Sequence, residues 1–169
     1  MRIVYLLRHA QAESAGFSGA DKQRPLSQHG ILEAKAVAQW LCEQEDAPTR
    51  ILASSAKRAW HTTQLVNEAL GLPLDHVTWE ASIYDASAGH LLELLRQQQH
   101  NEPLLLVGHN PGLEMLLRSL TQAPDQPFHL FLGMGTANLA KIVWPNTENA
   151  LQVIGHLAEH IQPSSLLTS

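Results

Sequence analysis

The sequence predicts an α/β protein with three layers, in which helices cover both faces of a mostly parallel central sheet that has an antiparallel edge. Three short, mainly apolar runs, at 3–7, 50–53 and 104–107, lack the alternating pattern of a half-exposed strand. Such runs are typical of strands that are buried on both faces. Helical patterns separate the runs along the chain, and strands that alternate with helices favour a parallel sheet.

The first half of the chain is expected to form two of these strands and two helices. A loop of small and polar residues, 11–23, follows the first strand. Ser27 has the residue type and position of a helix N-cap, and apolar residues recur at helical spacing from Ile31 to about residue 46. The second strand leads into a helix that opens at Ser54 and stops at Gly71, a residue type that is common just after a helix.

The second half continues the alternation and then changes to two consecutive strands. The expected elements are, in order, a strand at 77–79, a loop at 80–89, a helix at 89–99, the strand at 104–107 and a helix at 113–120. A linker with Pro124 and Pro127 follows. Two more strands are expected at 135–144 and 150–156. Asn146 lies in the turn between them, so this pair should be antiparallel and lie at the sheet edge.

Length and composition indicate one folded domain. The chain has 169 residues, and we expect the domain at 1–162 and a C-terminal tail at 163–169. A content of 44% apolar and 16% charged residues excludes a disordered chain. No stretch approaches ~20 apolar residues, and the N-terminal apolar run is too short for a signal peptide, which indicates a soluble, cytoplasmic protein without membrane contact. The net charge of −5 argues against nucleic-acid binding.

Polar residues follow each of the three buried strands directly. They are Arg8-His9, Ser54 to Arg58, and His109-Asn110. In an open parallel sheet, ligands bind beyond the carboxyl ends of the strands, so these residues should converge at one edge. Arginine side chains and helix N-termini both suit phosphate. The pattern therefore predicts a phosphoryl pocket in which a histidine is the nucleophile.

Each of these residues also has a simpler interpretation. An Arg-His pair after a strand is often a surface loop, and His109 precedes Asn-Pro-Gly, which is typical of a turn. Arg58 is different, because a cation early in a helix opposes the helix dipole unless an anion binds beside it. The equivalent placement of all three groups after buried strands favours the phosphoryl pocket.

The same residues resemble the motifs of the histidine phosphatase superfamily, which has the phosphoglycerate mutase-like fold. The matching segments are Leu7-Arg8-His9, Ser54-Ser55-Ala56-Lys57-Arg58-Ala59 with Thr62-Thr63, and Gly108-His109-Asn110-Pro111. Arg24-Pro25-Leu26-Ser27 followed by Gly30, together with the short length, is most similar to the SixA-type phosphohistidine phosphatases. Ala10 stands where the superfamily usually has glycine. Ala15 stands near the place of a mutase-type asparagine, which argues against a mutase.

The resemblance implies a covalent mechanism. His9 would attack phosphorus and become phosphohistidine, while Arg8, Arg58 and His109 would hold the phosphoryl oxygens. Asn110 is a further candidate contact with the substrate. Neither a metal nor another cofactor is expected, because the arginines supply the positive charge.

Glu80 occupies the place of the superfamily's general acid, in the loop after the third predicted strand. Its alternative interpretation is a solvated loop carboxylate. A phosphohistidine makes the acid less necessary, because its P–N bond is weak and imidazole is a better leaving group than an alkoxide.

The short stretch between Arg58 and His109 leaves little chain for a lid, so we expect an open pocket. An open pocket favours a phosphohistidine phosphatase that acts on a histidine-phosphorylated signalling protein, such as a phosphotransfer domain. The alternatives are a phosphomonoesterase for small molecules and a non-catalytic module that binds phosphoproteins. The last is less favoured, because a binding-only protein would not need His9.

Overall fold

The computed structural model describes residues 1–14, 17–122, 133–148 and 150–168. These residues form six strands: β1 (Arg2–Arg8), β2 (Arg50–Ala53), β3 (Val77–Trp79), β4 (Leu104–Gly108), β5 (Leu139–Trp144) and β6 (His156–Ile161). They also form five α-helices: α1 (Gln28–Cys42), α2 (Lys57–Leu70), α3 (Ala88–Arg96), α4 (Gly112–Thr121) and α5 (Pro163–Leu167). No helix in these ranges is long and apolar enough to cross a bilayer.

The strands form one sheet in the order β3-β2-β4-β1-β5-β6. Strands β3, β2, β4 and β1 are parallel to one another. Strand β5 pairs antiparallel with β1, and β6 pairs antiparallel with β5. The predicted fold class, a mostly parallel sheet with an antiparallel edge, is therefore confirmed.

Both faces of the sheet are covered, which explains the apolar runs without alternation. On one face Val4 and Leu6 of β1 pack in the core that contains α3 and α4. On the other face Ile3, Tyr5 and Leu7 pack in the core that contains α1, α2 and part of α5. Successive side chains of a strand point to opposite faces, so a strand between two helical layers must be apolar throughout.

The ends of α1 and α2 position the loops that carry the candidate site. The Ser27 hydroxyl accepts a hydrogen bond from the Gly30 amide and caps α1, as predicted. A Cβ at Gly30 would lie 1.9 Å from the Gln11 carbonyl oxygen, so glycine allows the loop after β1 to lie directly on the helix. Helix α2 begins at Lys57, later than expected, and it ends at Gly71, whose φ of 65° is left-handed.

The C-terminal third differs most from the sequence prediction. Strand β6 is His156–Ile161, so the expected strand at 150–156 is wrong. Leu151 is instead buried in the core, and the following chain turns before it pairs. Gly155 passes so close to Trp144 and Ile142 that a Cβ there would lie 2.6 Å from either side chain. Burial of Leu151 and this close passage delay the strand by about six residues.

Smaller differences have equally local causes. Strand β5 starts at Leu139 because residues 135–138 form a turn, in which Ala137 has a φ of 53°. The loop expected at 80–89 contains one 3-10 turn, Ala81–Ile83. The expected tail contains α5, whose Pro163 is buried and which packs against α1. The predicted linker with Pro124 and Pro127 lies outside the described residues.

Candidate active site

The three polar segments meet at the carboxyl edge of β1, β4 and β2, which are neighbours in the sheet. His9 follows β1, and its amide donates to the Gly108 carbonyl of β4 at 3.0 Å. The Ser54 amide, after β2, donates to the Val107 carbonyl at 3.1 Å. The rings of His9 and His109 lie 5.1 Å apart, centroid to centroid. Backbone pairing between the strands thus brings the two histidines together.

The His9 ring is held in one tautomer. Nδ1 lies 2.8 Å from the Ala10 carbonyl oxygen, which can only accept, so Nδ1 carries the hydrogen. Nε2 therefore has the free lone pair, and it accepts a hydrogen bond from Arg58 Nε at 3.3 Å. Burial, followed by the charges of Arg58 and Arg8, lowers the pKa of His9 to about 4, although the Ala10 bond acts in the opposite direction. At neutral pH the ring is therefore uncharged.

Arg58 is shared between His9 and the loop after β1. Its Nη1 donates to the Asp21 backbone carbonyl at 2.9 Å, and Nη2 donates to Asp21 Oδ2 at 3.1 Å. The hydroxyl of Tyr84 donates to the same Oδ2. The bond from Tyr84 and the charge of Arg58 hold the pKa of Asp21 below its usual value. We call Arg58, Asp21 and Tyr84 the site triad.

Arg8 lies at the border between this pocket and a neighbouring cleft. Its Nη1 donates to the Met134 carbonyl at 3.1 Å, and its buried Nε has no hydrogen-bond partner among the described residues. Burial lowers the pKa of Arg8, and Glu114 and Glu33 oppose that shift. The cleft has a volume of about 740 Å³, and these two carboxylates help to line it. Two carboxylates make this cleft unsuited to a negatively charged phosphoryl group. We therefore expect phosphate to bind on the side of Arg8 that faces the histidines.

Asn110 also faces this cleft. Its Nδ2 donates to the Met134 carbonyl at 2.7 Å and to Glu114 Oε2 at 3.2 Å. These two hydrogen bonds hold the side chain of Asn110 in the wall of the cleft. A contact of Asn110 with substrate stays a prediction.

His109 is buried opposite His9, with 7% of its surface exposed. Its Nε2 lies 2.7 Å from the Ser54 hydroxyl oxygen, and its buried Nδ1 has no partner among the described residues. Burial, together with His9 and Arg58, lowers the pKa of His109 to about 3. This ring is also neutral, and one of its nitrogens remains available to a ligand.

Glu80 caps the 3-10 turn that follows β3. Its Oε1 accepts a hydrogen bond from the Ser82 amide at 2.9 Å, and this bond lowers the pKa of the carboxyl group. No hydrogen bond described for Glu80 connects it with His9, Arg58 or His109. Tyr84, four residues later, is the residue of this loop that reaches the site. The role of Glu80 as an acid therefore stays a prediction.

Two residues around the site did not emerge from the sequence as site residues: Tyr84 and Glu33. Glu33 is 5% exposed, and it accepts hydrogen bonds from the Gln11 amide and the Thr136 hydroxyl. It therefore ties the loop after His9 to the turn before β5. The sequence does contain a signal for Glu33. It lies four residues before Val37, and this spacing puts its charged side chain on the buried face of α1. No comparable pattern marks Tyr84.

Within the described part of the chain, no group of three histidine, cysteine or acidic side chains could hold a metal ion. The positive charge beside His9 comes from Arg58 and Arg8.

Comparisons with known proteins identify the family of this chain. A model of the histidine phosphatase superfamily (branch 1) matches residues 4–81. An uncharacterised protein of Mycobacterium tuberculosis is 33% identical over 120 residues, which cover 68% of this chain and 72% of that protein. The phosphohistidine phosphatase SixA of Escherichia coli is 36% identical over 70 residues, 41% of this chain and 42% of SixA.

Two solved structures share the whole fold. One is a protein from Agrobacterium tumefaciens provisionally named phosphohistidine phosphatase SixA, with a TM-score of 0.80 and 28% identity over 96% of this chain and 99% of that one. The other is the protein histidine phosphatase SixA complexed with tungstate, with a TM-score of 0.80 and 23% identity over 97% of this chain and 99% of that one.

Proposed function

The chain belongs to the histidine phosphatase superfamily, and from this premise we propose that it hydrolyses phosphohistidine on a signalling protein through a phosphorylated His9. The observation that carries the proposal is the state of His9. The Ala10 carbonyl holds the hydrogen on Nδ1, so the Nε2 lone pair is directed at Arg58, where a phosphoryl group would be held.

The reaction would proceed in two displacements. In the first, His9 Nε2 forms a bond to phosphorus, the P–N bond to the partner's imidazole breaks, and that imidazole takes up a proton. In the second, water forms a bond to phosphorus, the bond to His9 breaks and inorganic phosphate leaves. Covalent catalysis of this kind replaces one difficult step with two easier ones.

Positive groups around His9 would stabilise the charge that spreads over the phosphoryl oxygens. Arg8 and Arg58 would supply this charge, which matches the electrostatic demand of phosphoryl transfer. Arg58 Nε–H donates a hydrogen bond to the His9 Nε2 lone pair that would attack phosphorus. An arriving phosphoryl oxygen would take that hydrogen bond over and thereby free the nucleophile.

Two features support a phosphohistidine carried by a protein. Asp21 and Tyr84 border the site from short turns, and half of the Asp21 side chain is exposed, which would let another protein's surface approach from this side. In addition, the leaving imidazole accepts a proton readily, which fits a site in which Glu80 points into its own turn. The similarity to the phosphohistidine phosphatase SixA of Escherichia coli lends the proposal further weight.

The same geometry also suits a small phosphate ester, and the leaving group separates the two activities. We would compare a histidine-phosphorylated phosphotransfer domain with an alkyl phosphate, using the wild type, Glu80→Gln and, as a matched loop control, Asp85→Asn. General acid catalysis contributes ~10²–10⁴-fold where the leaving group needs a proton. Glu80→Gln should therefore slow the alkyl phosphate far more than the phosphohistidine, and Asp85→Asn should affect neither.

Faster turnover of the phosphoprotein by the wild type is the expected result. If the wild type instead hydrolyses esters faster than the phosphoprotein, and Glu80→Gln loses activity on both substrates, the protein is a general phosphomonoesterase. Binding of the phosphoprotein without any turnover would identify a non-catalytic phosphoprotein module.

A further inference from the structure

Ser54 is completely buried and lies in the link between β2 and α2. Its hydroxyl oxygen is 2.7 Å from His109 Nε2, and it also accepts a hydrogen bond from the Ala56 amide at 3.2 Å. A serine hydroxyl has one hydrogen and two acceptor lone pairs. The Ala56 bond uses a lone pair, so the hydroxyl hydrogen remains to be donated. His109 Nε2 is the acceptor that the described residues place within its reach.

We propose that Ser54 is a positioning residue that fixes His109 in its Nδ1–H tautomer, so that a neutral imidazole donates a hydrogen bond to the phosphoryl group. The inference rests on the proposed function, in which that group binds between the two histidines. If Ser54 donates to Nε2, the single proton of a neutral ring must reside on Nδ1.

The unpartnered nitrogen supports this assignment independently. His109 Nδ1 is buried and has no hydrogen-bond partner in the described part of the chain. Buried polar atoms are nearly always paired, so an orphaned one calls for a ligand or another explanation. The His109 ring lies 5.1 Å from that of His9, so a phosphoryl oxygen bound to the nucleophile would be a suitable acceptor.

The arrangement has a chemical advantage. A charged His109 would stand beside Arg58 and next to His9, and the low pKa of His109 shows that this environment disfavours a third cation. A neutral N–H donor binds the oxygens without adding that charge. It can therefore remain in place before, during and after transfer.

The tautomer can be measured directly on the intact protein. Nitrogen-15 NMR of labelled imidazoles, with His109 assigned through its replacement, distinguishes a protonated Nδ1 from a protonated Nε2. We expect the wild-type His109 to carry its hydrogen on Nδ1 at neutral pH. A hydrogen on Nε2 would overturn the proposal without any variant of Ser54.

Variants then test the role of the hydroxyl. Ser54→Ala should produce a mixture of tautomers and weaken the binding of tungstate roughly tenfold, the loss expected for one hydrogen bond to a charged group. Ser54→Thr keeps the hydroxyl and should restore both properties. Ser55→Ala, at the exposed neighbouring position, is the matched control and should resemble the wild type.

An unchanged tautomer and unchanged tungstate affinity in folded Ser54→Ala would refute the role of Ser54. If that variant does not fold, the wild-type spectrum still decides the tautomer, and Ser54→Thr still tests the hydroxyl. Neither measurement uses turnover, so a failure of the phosphohistidine assignment would leave them unaffected.

Discussion

Two triads of a cation, an aspartate and a tyrosine occur in this protein, and they differ in the groups that surround them. In the site triad, Arg58 contacts Asp21, half of whose side chain is exposed. In the other, which we call the scaffold triad, Lys141 Nζ lies 2.7 Å from Asp46 Oδ2, and the buried Tyr5 hydroxyl donates to Asp46 Oδ1 at 2.9 Å.

The scaffold triad consists of groups that satisfy each other. Burial and the bond to Asp46 raise the pKa of Tyr5, and bonds from Lys141 and Tyr5 lower the pKa of Asp46 although burial alone would raise it. The neighbouring β1 and β5 hold Tyr5 and Lys141 in register. Each ionised or hydroxyl group has its partner inside the protein, so this triad serves stability.

The site triad stands instead beside groups that remain available. Arg58 donates to the Nε2 lone pair of His9, and His109 Nδ1 has no partner among the described residues. Asp21 and Tyr84 come from turns at the surface. The scaffold triad therefore closes on itself, whereas the site triad borders a buried histidine nitrogen without a partner among the described residues, and there we expect the chemistry.

The largest expected effect comes from removing the nucleophile beside the site triad. His9→Ala should reduce turnover by roughly 10⁴-fold or more while the fold is kept. Brief exposure of the wild type to labelled substrate should trap label that is labile in acid and stable in base. A protein without such label, or with label on another residue, would contradict the covalent mechanism.

The two cations sharpen the comparison. Arg58→Ala should cost about 2–4 kcal/mol of transition-state stabilisation, measured as kcat/KM, and Arg58→Lys should recover little, because ammonium lacks the planar fork of guanidinium. Lys141→Ala should leave kcat/KM unchanged and lower the free energy of unfolding by about 1–2 kcal/mol, since it removes one partner of a partly buried pair. Wild-type kinetics in Arg58→Ala would place Arg58 outside the pocket.

The buried histidine should also affect stability in acid. The pKa of His9 is about 4 in the folded chain and ~6.5 when unfolded, so between these values the unfolded chain binds more protons. The free energy of unfolding should therefore fall as the pH drops from 6.5 to 4, by about 3 kcal/mol from His9. His9→Gln should lack this component in chemical denaturation at each pH. A slope in His9→Gln equal to that of the wild type would contradict this pKa of His9.

The smallest effects separate the two tyrosines. Tyr5→Phe should lower the free energy of unfolding by about 1 kcal/mol without changing kinetics, because a buried hydrogen bond is lost. Tyr84→Phe should change the free energy of unfolding by less than ~0.5 kcal/mol and raise KM by up to about fivefold, because Asp21 then competes more strongly for Arg58. Both quantities follow from denaturation curves and steady-state rates. The reverse pattern would remove the distinction between the triads.

The sequence alone determined the α/β class, the parallel strands β1, β2 and β4, and the superfamily. These features depend on signals that lie within a few residues: apolar runs, a polar group directly after each run, and Ser27 as a cap. The convergence of His9, Arg58 and His109 was expected from the parallel direction of these strands, because parallel strands end at the same edge.

Only the tertiary structure decided which side chains pair and where the last strand begins. Arg58 meets Asp21, 37 positions away, and Ser54 meets His109, 55 positions away. Such pairs have no local periodicity, because donors and acceptors become neighbours only after the sheet has formed. Strand β6 likewise starts at His156 because Leu151 is buried and Gly155 passes close to Trp144, and both are contacts between distant parts of the chain.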